Sequence, residues 1–310
     1  MNKQQKTKKS SKNKFIISGI IIAIIAIGIG LALNNQTSVS PPPTDSRTIF
    51  WQHVHGLGVE PSDPSILYIA THGDFYQSVS GGPPVKVDKV RADYMAFNAP
   101  QSPGIPLYAS GHPSTGGNTG LIKSTDGGQT WQIVSNVLEP PVDFHAMALS
   151  KSDPNIIIGF DSAARGLFKT TDGGTTWETL PYPEYIIALA ILPTDSQVVF
   201  AGTGKGIYKS SDGAKSWTQL DTYKGLGIFA MTFDENVLYV YTQTFGLVRS
   251  SDLGKTWENV NGPKLTITSI AVDSVNDSIY VAGHSQEGFQ EVYSSNDGTN
   301  WQLIGTNKEL

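Results

Sequence analysis

Five stretches of the chain nearly repeat one another: Ser124-Thr-Asp-Gly-Gly-Gln-Thr-Trp131, Thr170-Thr-Asp-Gly-Gly-Thr-Thr-Trp177, Ser210-Ser-Asp-Gly-Ala-Lys-Ser-Trp217, Ser250-Ser-Asp-Leu-Gly-Lys-Thr-Trp257 and Ser294-Ser-Asn-Asp-Gly-Thr-Asn-Trp301. Each reads as a hairpin. The Asp-Gly core supplies an acceptor side chain and positive-φ positions for a tight turn. The indole can pack between neighbouring units. Asp126, Asp172, Asp212 and Asp252 are therefore expected to hold turns, and Trp131, Trp177, Trp217, Trp257 and Trp301 to wedge the units together. The tryptophans lie 46, 40, 40 and 44 residues apart, the length of a four-stranded propeller blade.

Strand patterns surround each repeat. Immediately upstream runs an alternating segment such as Gly166-Leu-Phe-Lys169 or Gly206-Ile-Tyr-Lys209. Further upstream come apolar runs such as Ala146-Met-Ala-Leu149 and Ile156-Ile-Ile-Gly159. Aligning the repeats puts the innermost strands near His55, Met95, His145, Ile187, Phe229 and Thr268. The first copy carries only a worn remnant, Ser78-Val-Ser-Gly-Gly82. The expectation is an all-β fold, a single β-propeller over residues 49–310. It has six blades, or seven if a terminal segment completes another.

Composition agrees and excludes several chemistries. With no cysteine, disulfides, thiolate metal sites and thiol catalysis are ruled out. Glycine (32) and proline (18) are plentiful and only 16% of residues are charged, which suits short strands joined by tight turns. Six lysines crowd residues 1–14; the rest carries 16 basic against 27 acidic side chains. So acidic a domain is a poor partner for nucleic acid, whose phosphates demand cations.

The first forty residues read as an address. Phe15 to Leu33 is 19 residues without a charge. At ~1.5 Å per residue, a helix of that length spans most of a ~30 Å hydrocarbon core. The basic tail 1–14 precedes it, so the positive-inside rule keeps the N-terminus cytoplasmic and sends the remainder out. Segment 15–33 is then a transmembrane anchor, with cleavage near Gly30-Leu31-Ala32 as the signal-peptide alternative. Residues 34–48, with Pro41-Pro42-Pro43, form a semi-rigid linker. The expected location is a cell membrane, single-pass, with the propeller outside the cytoplasm.

The five octets resemble the Asp-box (BNR) repeats of sialidase-like, sortilin-like and photosystem-assembly-factor-like propellers. The opening Trp51-Gln-His-Val-His-Gly-Leu-Gly58 is also similar to a bacterial membrane-anchored family described as glycosyl-hydrolase-like. The resemblance implies a propeller whose Asp boxes sit on outer hairpins, away from the pole where ligands bind. Fold alone does not assign activity.

Histidines mark that pole. All six in the chain fall into three columns of the repeat alignment. His53 and His55 open the first inner strand, and His145 matches His55. His72, His112 and His284 share a column at the end of the second strand, where blade three carries Asp161. Asp93 and Asp143 share the column of His53. Adjacent antiparallel strands bring the end of the second strand beside the start of the first, so the columns open on one end of the channel. His53, His55, His72, His112, His145, His284 and Asp161 are the expected metal or ligand site. Imidazoles with nearby carboxylates suit one Zn or Cu ion, and Met95 leans toward copper. The bland alternative is a set of rim residues shared by repeat descent.

Sialidase chemistry, as the resemblance implies it, needs three arginines at the pole, a tyrosine–glutamate pair and an aspartic acid. Beyond residue 46 the chain holds only Arg47, Arg91, Arg165 and Arg249. Arg165 and Arg249 are expected on outer strands, far from the pole. The sequence therefore favours a binding or assembly module for an extracellular protein, glycan or metal. The alternative is a glycoside hydrolase other than a sialidase, using a carboxylate pair drawn from Asp74, Asp93, Asp143 and Asp161.

Overall fold

The computed structural model describes residues 47–49, 51–99, 102–273 and 275–308. The basic tail, the Phe15–Leu33 segment and nearly all of the linker lie outside the described residues. Among the described residues no helix is long and apolar enough to cross a membrane.

Each blade is a four-stranded antiparallel sheet whose strands follow in chain order from the channel outward. Blade one holds β1 (Val54–Val59), β2 (Ile66–Thr71), β3 (Phe75–Val79) and β4 (Val85–Lys86). Blade two holds β5 (Ala92–Asn98), β6 (Leu107–Pro113), β7 (Leu121–Ser124) and β8 (Gln132–Ser135). Blade three holds β9 (Phe144–Leu149), β10 (Ile157–Asp161), β11 (Leu167–Thr170) and β12 (Glu178–Leu180). Blade four holds β13 (Ile186–Leu192), β14 (Asp195–Thr203), β15 (Gly206–Ser210) and β16 (Thr218–Gln219). Blade five holds β17 (Ile228–Asp234), β18 (Val237–Thr242), β19 (Gly246–Ser250) and β20 (Glu258–Val260). Blade six holds β21 (Leu265–Asp273), β22 (Ser278–Ser285), β23 (Gln290–Ser295) and β24 (Gln302–Thr306). The blade count is six.

The core is divided among the seams between blades. Ile158, Phe160 and Leu167 of blade three pack on Leu189, Val199 and Ala201 of blade four. Equivalent clusters fill the other five seams. The ring closes where Trp51, Val54 and Leu57 meet Ala271, Ala282 and Ile304. Thr48 forms a parallel bridge to Thr306, and the Ile49 amide donates to the Thr306 carbonyl at 2.7 Å. The first described residues thus extend blade six instead of starting a seventh.

Each Asp hairpin is tied by its own side chains. In blade three, Oδ1 of Asp172 accepts from the Thr176 amide at 2.9 Å and Oδ2 from its hydroxyl at 2.6 Å. Thr170 donates its hydroxyl to Asp172 and accepts the Gly174 amide. Asp126, Asp212 and Asp252 repeat the pattern. In the last blade the acid is Asp297, one residue later than in the other repeats, with Ser295 as its hydroxyl partner.

Each seam also receives one tryptophan. Trp131 stacks against Phe75 and Tyr94, and Trp177 against Phe144. Trp217, Trp257 and Trp301 pack into the next three clusters. The worn first repeat has no tryptophan, and Trp51 fills the remaining seam from a different point in the chain.

Candidate metal centre

The register brings the histidine columns to one end of the channel. The His72 amide donates to the His53 carbonyl at 2.9 Å. His72 bridges to Asp93 of the next blade, Asp93 pairs with His112, and Phe144 pairs with Asp161. Thr266 pairs with His284 in blade six. Gly111, at φ +126°, makes room for the pairing of β6 with β5 inside blade two, because a Cβ there would lie 2.1 Å from the Asp93 carbonyl oxygen.

A repeated irregularity aims two of the rings. The ladder skips one residue at the start of five inner strands: His55, His145, Ile187, Phe229 and Thr268. Such bulges redirect a side chain, and all five of these residues line the channel, a cavity of about 460 Å³. In blade two the irregularity falls later, between Met95 and Asn98. Ala96 and Asn98 line the channel there instead of Met95.

Two clusters of possible metal ligands result, His55 with His72 and Asp93, and His112 with Asp143 and His145. In the first, Nε2 of His55 lies 3.0 Å from Oδ1 of Asp93, and Nδ1 of His72 lies 2.8 Å from Oδ2. Nε2 of His55 and Oδ1 of Asp93 are buried, and neither makes a hydrogen bond among the described residues. Burial opposes ionisation of Asp93, but His55 and His72 outweigh it and hold the carboxyl below its ordinary range.

In the second cluster Oδ2 of Asp143 lies 2.8 Å from Nε2 of His145 and 3.3 Å from Nε2 of His112. It also accepts the Ser162 hydroxyl at 2.9 Å. Nδ1 of His112 lies 3.0 Å from the Gly117 carbonyl, an acceptor only, so this nitrogen carries a proton. The bond to Asp143 pushes His112 up to about 9. Burial works against Asp143, yet its two histidines keep it far below the usual carboxylate range.

The other expected residues are engaged elsewhere. Asp161 is fully buried and grips Arg165 through Nε at 2.9 Å and Nη2 at 2.8 Å, while accepting the Asp143 amide. It stands behind the second cluster, positioning Asp143, and offers no oxygen to either cluster. Arg165 corrects an expectation. It sits in the β10–β11 turn, which the antiparallel order returns to the histidine pole, and also donates to the Pro140 and Pro141 carbonyls. Gln290 donates its amide nitrogen to Nδ1 of His284, and its orientation is fixed because its oxygen accepts the Val54 amide. His284 therefore carries its proton on Nε2, and its Nδ1 lone pair is engaged by Gln290. His53 lies with its ring 5.6 Å from that of His284 and 6.3 Å from that of His55. Burial and those neighbouring rings lower its proton affinity.

Asp93 is the residue whose role the sequence reading missed. Its signal was present in the column shared with His53. What joins it to His55 and His72 is the contact between blades, which aligning each blade on the next does not display.

No family model matches the chain, and none of the curated proteins matches it. Among solved structures, a GH74 enzyme of Niastella koreensis superposes with a TM-score of 0.61 at 20% identity, over 82% of this chain and 45% of that one. The GH74 xyloglucanase of Xanthomonas campestris gives 0.57 at 15% identity, over 83% and 46%. A luciferin-regenerating enzyme gives 0.57 at 15% identity, over 75% and 84%. The chain spans less than half the length of the two GH74 structures. At these identities the likeness is one of fold: the chain is a six-bladed β-propeller similar to enzymes of differing chemistry.

Proposed function

We propose that the protein is a membrane-anchored, extracytoplasmic binding module that holds a Zn or Cu ion at the histidine pole through His55, His72 and Asp93. The observation that carries this reading is the convergence of His55, His72 and Asp93 on one point, with Nε2 of His55 and Oδ1 of Asp93 buried and 3.0 Å apart. A shared cation would give both buried atoms a common partner. Two imidazoles and a carboxylate form a donor set suited to late first-row metals. A propeller on an external stalk would present the loaded pole to an extracellular protein or glycan. The apolar anchor segment and the basic tail support the placement.

Hydrolysis of glycans is the weaker reading. A general acid needs a carboxyl raised above its usual range and open to substrate. Asp93 and Asp143 are held low. Asp88, which burial raises, has a fully covered side chain.

The test is metal content. Full-length protein in detergent, equilibrated with Zn(II) and analysed by mass spectrometry of the metal, should lose one equivalent when His55 and His72 are both replaced by Ala. Unchanged Zn content in that variant overturns the assignment.

A further inference from the structure

We infer that the second cluster, His112, Asp143 and His145, binds its own divalent transition-metal ion, making the pole a two-ion centre. This rests on the metal reading of the first cluster and extends it to a separate site at the next seam.

The two sites share one crossing supplied by the repeat. In each, the histidine ending a second strand crosses to the aspartate opening the inner strand of the following blade: His72 to Asp93, then His112 to Asp143. In each, a bulged inner-strand histidine adds the third donor, but from opposite sides of the seam: His55 belongs to the blade of His72, and His145 to the blade of Asp143. The same crossing at the seam between blades six and one pairs His284 with His53 and supplies no carboxylate. The seam between blades three and four places Asp161 in the column, and Arg165 already neutralises it. Two complete donor sets therefore stand at the pole among the described residues.

Local geometry supports ligation at the second set. The Gly117 carbonyl accepts the Nδ1 proton of His112, turning Nε2 toward Asp143. A metal-bound histidine is usually oriented in this way by a carbonyl on its other nitrogen. Asp143 is itself held from behind: its amide donates to Asp161 and its Oδ2 accepts from Ser162. Its side chain is only 8% exposed, and Oδ1 is buried without a hydrogen bond among the described residues. His112 and His145 keep 37% and 42% of their side-chain surface exposed, so an ion there is reachable from solvent.

The experiment uses full-length protein in detergent with Zn(II) alone as the probe. Wild type should retain two equivalents, Asp143→Asn one, Asp93→Asn one, and the double variant none. His145→Ala is the companion to Asp143→Asn and should also retain one, with far-UV spectra confirming an intact fold. One equivalent in wild type that Asp143→Asn leaves in place overturns the second site while preserving the first. One equivalent abolished by either aspartate substitution also overturns it, as a single shared ion. No bound Zn in wild type overturns both readings.

Discussion

Nε2 of His55 and Oδ1 of Asp93 face each other at 3.0 Å across the first seam, within ion-pair range but misaligned for a hydrogen bond. In the metal-free protein the contact helps hold the Asp93 carboxyl below its ordinary range; a cation bound between the two atoms would add stability of its own. At a free concentration 100-fold above its dissociation constant, an ion bound only by the folded state stabilises by about 2.7 kcal/mol. For a domain of this size that corresponds to a rise in Tm of roughly 5–10 °C. Zn(II) added to chelator-treated protein should produce that rise, and the double replacement of His55 and His72 should reduce it. An identical rise in the variant would place the ion elsewhere.

The pairing of His112 with Asp143 gives metal-free protein a pH dependence whose sign is fixed. His112 is raised from 6.5 to about 9 in the folded state. Its contribution is complete below about pH 6.5 and disappears as pH climbs through about 9. In chelator, Tm of the wild type should fall across that window. His112→Gln should start lower and lose this part of the slope. Parallel curves would show that the pair does not govern stability there.

The hairpin acids act in the opposite direction. The hydroxyl and amide of Thr176 hold Asp172 down at about 2, with Asp212 and Asp252 alike. Their stabilisation is present above the ordinary carboxylate pKa and is lost as pH falls from about 4 through 2. Asp172→Ala should lower Tm by a few degrees at neutral pH and leave Zn content at the wild-type level. Loss of metal in a stably folded Asp172→Ala protein would contradict the separation of hairpins from the pole.

Trp51 is 3% exposed and donates its indole N–H to the Gln290 carbonyl at 3.2 Å. Trp51→Ala should cost about 3–5 kcal/mol, the range for emptying a large aromatic site. The loss should appear in chemical denaturation as a lower midpoint. A change near zero would mean that the closing seam repacks without it.

The proposed topology is checked on intact cells. Added protease should digest the propeller and spare a short N-terminal fragment carrying the basic tail. Protection of the whole chain would remove the extracytoplasmic placement.

The ring was legible because hairpin chemistry recurs in sequence: the spacing of Trp131, Trp177, Trp217, Trp257 and Trp301 mirrors blade length. The columns of histidines were legible because strand order fixes which ends meet. Contacts between neighbouring blades were harder to read, since they join residues roughly twenty to forty positions apart through packing angles that no local pattern encodes. That is why Asp93 is harder to read than Asp161; the place of Arg165, in the β10–β11 turn of a single blade, follows from the same strand order as the histidine columns. Trp51 escaped for a related reason, because it replaces a missing repeat feature from outside the repeat.

Closing the ring through Arg47, Thr48 and Trp51 has a consequence in time. Nε of Arg47 donates to the Leu303 carbonyl across 256 positions of sequence. At synthesis rates of about 5–20 residues per second, the first of these partners waits roughly 13–50 s for the second to be made. Throughout that interval Trp51, Val54 and Leu57 present an uncovered apolar face, and a nascent chain in that state is a substrate for holding chaperones. Blade one is therefore among the first parts translated and the last to be locked, so interrupted translation leaves an open, adhesive arc instead of a smaller stable ring.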